Sequence, residues 1–535
     1  MPLAAHYVGS YIHGLTPTGF IQYDMPYYWA NARELSDAGG FSFFYGNPFS
    51  YDYGTPAIYF QPLTLLMGFL ATTGIDPGVG FALTGLVTAV VCARIAIALY
   101  DRFSRPDLSH RTPGLIAFFW GGGVLMVAGL LYGAATEWGS LALFTFDPAK
   151  GWWFLNFGRN LVFPTEALYH AIFFAAVLLM VAHRYGLALC IIALMSVSHP
   201  FTGIQLILIV FTWSAVEVAF IKESPVPYWF LVGVTILGLG HAGYYLWFLN
   251  RFPEHRALQE QWTIPLLLGV KALFLSTILV AIPALWRMRT VDRARAVLAD
   301  SSNRLLVAWL IVSVLLAEHD RFLTRAIQPV HFSRGHQWIP LFLLGLPAII
   351  ALWGHVRAMR PRLRSTAVAA TLIVVMLADN ATWLTIRAAQ ALGISTADMS
   401  LPVPYLGMKL SDDQFDLMRW MRSPSNRGSV VASEDDTVGY LLTTYTPLRS
   451  WRSHTFNTPF TEQRRLELRA FFDSASPPAT WQRLPMLLVF RSSGDWRARL
   501  AAFEPGRAAV AYSNRSFVVG RVSPRPPESP AAAPP

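Results

Sequence analysis

Tyr228–Leu249, YWFLVGVTILGLGHAGYYLWFL, and Thr263–Trp286, TIPLLLGVKALFLSTILVAIPALW, carry one fixed charge between them, Lys271. A helix needs about 20 consecutive apolar residues to cross roughly 30 Å of hydrocarbon, and each stretch meets that length. Both are continuously apolar rather than alternating, which implies helices and not a barrel. Leu305–Leu316 and Leu341–Trp353 repeat the pattern in shorter form. The whole chain agrees: 54% of residues are hydrophobic, 14% are charged, and the mean hydropathy is +0.39. A soluble domain carries about 25% charged residues. These features predict a mostly α, polytopic transmembrane helical bundle with a small C-terminal α/β extracytoplasmic domain.

The net charge of +10 does not mark a nucleic-acid binder, because the arginines sit in short loops between apolar runs, where they set membrane orientation. Cys92 and Cys190 lie inside apolar segments and form no disulfide or metal spacing. Spans are expected at 78–100, 113–133, 166–183, 185–198, 201–221, 228–249, 263–286, 303–317, 337–354 and 365–386, about ten in all. Thr55–Thr73 is interrupted by Gln61-Pro62, and reading it as a re-entrant or surface helix keeps the dense clusters Arg287, Arg289, Arg293, Arg295 and Arg357, Arg360, Arg362, Arg364 inside. Four regions follow. Residues 1–54 form an extracytoplasmic first loop, 55–386 the membrane domain, 387–522 an extracytoplasmic α/β domain, and 523–535 a disordered Pro/Ala tail. Met1–Gly14 lacks the basic start and apolar core of a signal peptide, and we expect a further span upstream, with Met1–Ile12 as its outer end. Within 387–522, a helix is expected at Gln414–Met421, strands at Ser429–Ala432 and Met486–Phe490, and a hairpin of Ala509–Ser513 and Ser516–Val522 around Asn514.

Ionisable side chains inside a membrane are costly, so they are functional candidates by default. Glu166 and His170, at i and i+4, share a helix face at the outer end of a span, and His199, His241, Lys271, Arg334 and His336 map to the same depth. The loop Glu318–Gln337, EHDRFLTRAIQPVHFSRGHQ, gathers Arg321, Arg325, Arg334, His331 and His336. Guanidinium forks match phosphate oxygens, so this loop suits a lipid-linked phosphate. The bland readings stay open: His199 beside Pro200 as a helix-break residue, Lys271 snorkelling, Glu166 as a helix-dipole charge.

The stretch Asp24–Glu34, DMPYYWANARE, has the pattern D-x-P-x-Y-x-x-x-A-R-E, and Gly46–Gln61, GNPFSYDYGTPAIYFQ, follows it. Together they resemble the first extracytoplasmic loop of the GT-C superfamily of membrane glycosyltransferases, nearest the protein O-mannosyltransferase and aminoarabinose lipid A transferase branches. The resemblance is tight over eleven residues, with Pro56 alone where a double proline is usual. It implies a catalytic carboxylate at Asp24 and a substrate site that includes Tyr28, Glu34, Glu166, His170, Lys271, Arg325 and Arg334. In that reading Asp24 is the base, Arg334 with Lys271 or Arg325 grips phosphate, and Tyr28, Trp29 and Tyr53 stack on sugar. The implied partners are a polyprenyl-phosphate sugar donor, membrane lipids and an extracytoplasmic glycan, lipid or protein acceptor, with no nucleic acid. No particular cofactor is implied, a divalent cation stays open, and the plasma (inner) membrane is the expected location. Two rivals stand beside this reading: a lipid-linked saccharide transporter or flippase, and a non-catalytic assembly partner in which Asp24 only caps the following helix.

Overall fold

The computed structural model describes residues 2–37, 42–104, 108–136, 156–262, 269–324, 327–393 and 409–525. By their contacts these sort into two units. The first takes Ala82–Asn250 and Trp262–Pro404 and is built from apolar helices. The expected spans fall on helix among the described residues, with 113–133 interrupted at 121–124; residues 263–268 of the span 263–286 lie outside the described residues. Among the described residues six helices are long and apolar enough to cross a bilayer: Pro77–Ser104, Pro164–Val181, Pro200–Phe220, Tyr228–Arg251, Trp338–Ala358 and Arg362–Leu392. Two bent pairs pass the same test jointly, Arg111–Trp120 with Leu125–Ala135 at 61° and Phe274–Arg287 with Val291–Leu298 at 101°. Tyr185–Ser198 and Ser301–Ala317, also expected as spans, have only 14 and 17 residues. At 1.5 Å per residue they reach about 21 and 25 Å, short of a full hydrocarbon core.

The exposure pattern separates inner from outer helices. Pro164–Val181 is the most buried span, with 78% of its apolar window covered, against 17% for Tyr228–Arg251. Phe173, Phe174, Trp309 and Trp338 fill the core around it. Leu86, Val87, Ile236, Leu239, Leu246 and Trp247 are instead 61–69% exposed. A helix that is apolar on its solvent side has lipid as that solvent, so these helices fit an integral membrane protein.

One span is broken in the middle. Leu108–Trp120 ends at Gly121-Gly122-Gly123, and Leu125–Ala135 starts beyond it. The break relies on bare backbone: a Cβ at Gly123 would stand 1.9 Å from the carbonyl oxygen of Leu275. Asp379 and Asn380, on Arg362–Leu392, close the two ends. The Asp379 carboxylate accepts from the backbone N–H groups of Gly123, Leu125 and Met126 at 3.0, 3.3 and 2.8 Å. Asn380 Nδ2 donates to the carbonyls of Trp120 and Gly121, and its Oδ1 accepts from Arg159 Nε at 2.7 Å. The backbone groups that an interrupted helix leaves in hydrocarbon thus find partners.

The second unit takes Leu3–Phe81, Arg251–Gln261 and Tyr405–Pro535. Its centre is a five-stranded sheet in the order Arg449–Ser450, Val430–Ser433, Met486–Arg491, Phe517–Val522, Ala508–Ser513. The first two pairings are parallel and the last two antiparallel. Val430–Ser433 is buried along its whole length, as a central parallel strand must be. The helix expected at Gln414–Met421 runs Asp412–Met421, started by a Ser411–Gln414 capping box. The expected hairpin is present; residues 526–535 of the tail lie outside the described residues. Two acidic residues of this unit serve local ends: Asp435 caps Asp436–Tyr445, and Glu434 accepts from the N–H of Arg491.

The first-loop segment, read from sequence as a region apart, shares this unit with the C-terminal sheet. Its helix Met25–Asp37 packs on Asp436–Tyr445: Tyr440 Oη donates to the carbonyl of Tyr23, Thr444 Oγ1 to that of Pro26, and Arg33 Nη1 to that of Thr444. On the other side lies Pro62–Thr72, an 11-residue apolar helix too short to span alone, with proline at its first turn. The two helices come close at Gly68, where a Cβ would stand 2.7 Å from Leu35 Cδ1.

Candidate functional site

Asp24 immediately precedes the Met25–Asp37 helix, and its carboxylate is 45% exposed. Gln22 holds it twice: Gln22 Nε2 donates to Oδ2, and the Asp24 backbone N–H donates to Gln22 Oε1, both at 2.8 Å. The other carboxylate oxygen faces His454 Nε2 at 3.1 Å. The tautomer of His454 follows from its second nitrogen, which lies 3.2 Å from the N–H of Phe456 and 3.0 Å from Asn457 Nδ2. A backbone N–H can only donate, so Nδ1 is the acceptor and the neutral ring carries its proton on Nε2. That proton points at Asp24.

His454 is itself 1% exposed. Tyr23, Tyr27, Phe49 and Tyr440 surround it with ring centroids 4.7, 5.5, 5.7 and 5.6 Å away. Desolvation pushes the Tyr27 phenol up to about 12, against a hydrogen bond with Asn31 and with a small push from Asp24, so Tyr27 stays neutral. The result is a solvent-reaching carboxylate on a rigid aromatic base. It can accept a proton or a hydrogen bond from a hydroxyl or amine.

The other first-loop residues serve different ends. Glu34 is paired with Arg449 at 2.6 Å, and the same guanidinium donates to the carbonyl of Asn47 at 2.6 Å. Tyr28 lies between Tyr27 and Phe81, at centroid distances of 5.1 and 6.4 Å. Trp29, expected to be able to stack on sugar, is 1% exposed and packs on Gly80, at the start of the Pro77–Ser104 helix. Tyr53, given the same role, donates from Oη to the carbonyl of Ser429 and accepts from the N–H of Arg449.

In the helical unit, the sequence-derived polar residues meet in one cluster. Arg334 is 5% exposed; its Nη1 bonds Glu166 Oε1 at 2.5 Å and its Nη2 donates to His331 Nδ1. His331 is held well below its usual range by burial, then by the Arg334 charge and by His199. His170 sets Nδ1 against the carbonyl of Glu166 and Nε2 against that of Arg334, each at 2.8 Å, and stacks on His336 at 5.2 Å. His199 caps Pro200–Phe220 by accepting from the Thr202 N–H at 3.0 Å and lies 4.6 Å from the Tyr169 ring. His241 is bonded to Ser196 Oγ at 2.9 Å. Arg325 and the side chain of Lys271 lie outside the described residues; the Lys271 backbone is in the Gly269–Arg287 helix.

Sequence reasoning missed His454, Asp379, Asn380 and Arg159. The first had no signal, since nothing at 454 points to residue 24. Asp379 and Asn380 did: they are a polar pair inside an apolar run, the kind of position that marks a membrane helix as special. Among the described residues no three His, Cys, Asp or Glu side chains are placed to hold a metal ion. Searches against protein-family models and curated proteins give no match to this chain.

Proposed function

We propose that the chain is a GT-C-type membrane glycosyltransferase that moves a sugar from a polyprenyl-phosphate donor to an extracytoplasmic acceptor at the plasma (inner) membrane. The observation that carries the reading is Asp24: a half-exposed carboxylate, in the first-loop motif, oriented by the buried Nε2–H of His454. In transfer, the bond between the sugar anomeric carbon and the donor phosphate oxygen breaks, and a bond to the acceptor oxygen or nitrogen forms. The acceptor proton passes to Asp24, and the phosphate leaves with the bonding electrons. A cationic group beside the phosphate stabilises that charge. The long apolar helices support a membrane-embedded enzyme with a lipid-linked donor.

The test is transfer from labelled polyprenyl-phosphate sugars by the purified full chain, with and without chelator, comparing Asp24→Asn with the parent. Asn keeps an oxygen to which His454 can donate, so the fold is retained while the basicity is lost. Transfer should fall by about 10²–10⁴-fold with unchanged thermal stability. Near-normal transfer in the folded variant would leave Asp24 as a docking clamp for the first loop, and the assembly-partner reading would take its place.

A further inference from the structure

The Phe274–Arg287 and Val291–Leu298 helices meet at 101°. An apolar helix that turns through a right angle at its charged end lays the next helix along the membrane surface, where amphipathic segments sit. Val291–Leu298, VDRARAVL, has that character: Arg293 and Arg295 are exposed, and so are the apolar Val291 and Leu298. A groove of about 440 Å³ opens at the elbow, lined by Trp286, Arg287, Arg293 and Val297, with Pro347 and Ala348 from the neighbouring Trp338–Ala358 helix. Its floor is apolar and its rim holds two guanidiniums. Arg287 Nη1 is fixed by the carbonyl of Leu344 at 2.9 Å. The Arg289 guanidinium lies 3.8 Å over the Trp286 ring and adds a third cation beside the rim. Residues 287–300 hold four arginines (287, 289, 293, 295) against Asp292 and Asp300, a surplus of two positive charges. Asp292 faces Arg295, and Asp300 caps the Ser301–Ala317 helix with its charge also reaching Arg287, so Arg293 is the guanidinium that no carboxylate among the described residues pairs with.

We propose that this elbow binds the phosphate headgroup of an anionic phospholipid, with the guanidiniums of Arg287 and Arg293 donating to its oxygens and an acyl chain along the exposed Ile282–Leu285 face. Charge complementarity and the apolar floor together select a membrane lipid over a soluble anion. The inference does not depend on the catalytic reading.

The full chain is reconstituted in phosphatidylcholine bilayers containing a minor fraction of brominated phosphatidylglycerol or brominated phosphatidylcholine. Quenching of Trp286 is obtained as the difference between the parent and Trp286→Phe. The brominated anionic lipid should quench Trp286 more strongly, and the preference should fall about five-fold for each arginine removed, in Arg293→Gln and in Arg287→Gln/Arg293→Gln. The Arg293 side chain is exposed and bonds no described residue, its backbone N–H alone meeting Thr290 Oγ1, so its variant tests the site even if loss of Arg287 perturbs the helix. Equal quenching by the two lipids, or a preference unchanged in Arg293→Gln, overturns the proposal. So does loss of the preference in millimolar inorganic phosphate, which would make the elbow a site for a soluble anion.

Discussion

Arg334 is where the chemistry expected from sequence and the packing found in the fold meet most directly. A guanidinium in an outer loop reads as a phosphate ligand; here it is buried and already bonded to Glu166 and His331. A phosphate can take that place only by displacing a carboxylate that would then be left in a poorly solvated site. Breaking a buried pair by removing one partner costs about 3–5 kcal/mol, so Arg334→Gln should lower the denaturation midpoint of the detergent-solubilised protein strongly. Glu166→Gln separates the two roles. If Arg334 grips phosphate, freeing it should raise affinity for a polyprenyl phosphate, measured by titration against intrinsic fluorescence. Unchanged affinity with reduced stability would assign the pair to the architecture alone. Glu34 teaches the same lesson: its place in the motif suggests a substrate contact, yet Arg449 occupies it.

At the scale of elements, the broken helix at Gly121–Gly123 is the feature most dependent on particular side chains. Three backbone N–H groups end on the Asp379 carboxylate, and two carbonyls on the Asn380 amide. Hydrogen bonds to a charged group contribute about 1.5–3 kcal/mol, and water is scarce at this depth as a substitute. Asp379→Ala should therefore destabilise the fold by about 3 kcal/mol or more, whereas Asp379→Asn, which keeps one acceptor oxygen, should lose less. The midpoints of thermal aggregation in one detergent give the order. Equal stability of Ala and Asn variants would mean that the carboxylate does not hold the break. The signal was present in the sequence as Asp379-Asn380 within an apolar run, but its partner, the glycine triplet more than 250 residues earlier, was not inferable from spacing.

For the whole molecule, the orientation expected from the arginine-rich loops can be checked without knowing the substrate. In a cysteine-free background, Arg295→Cys should be shielded from an impermeant thiol reagent in intact cells, while Ser425→Cys should label; both positions are solvent-exposed. Labelling at 295 would reverse the topology and with it the extracytoplasmic assignment of the first loop. The exposed apolar helices set one part of the picture independently of orientation, because Leu86, Ile236 and Leu239 face outward where a soluble protein would bury them.

The sequence by itself determined the long apolar helices and, in the C-terminal region, one helix and most of the strands, because hydrophobic length and alternation are local properties of the chain. It determined the neighbourhood of Glu166 and His170, one helical turn apart, and singled out Arg334 and Asp24 by residue type and motif. Only the tertiary structure decided what those groups do to one another: that Arg334 is spent on Glu166, that Glu34 belongs to Arg449, and that Asp24 is oriented by a histidine 430 residues away. Such pairings depend on which surfaces the folded backbone brings within about 3 Å, the reach of a hydrogen bond. No local pattern along the chain encodes that distance.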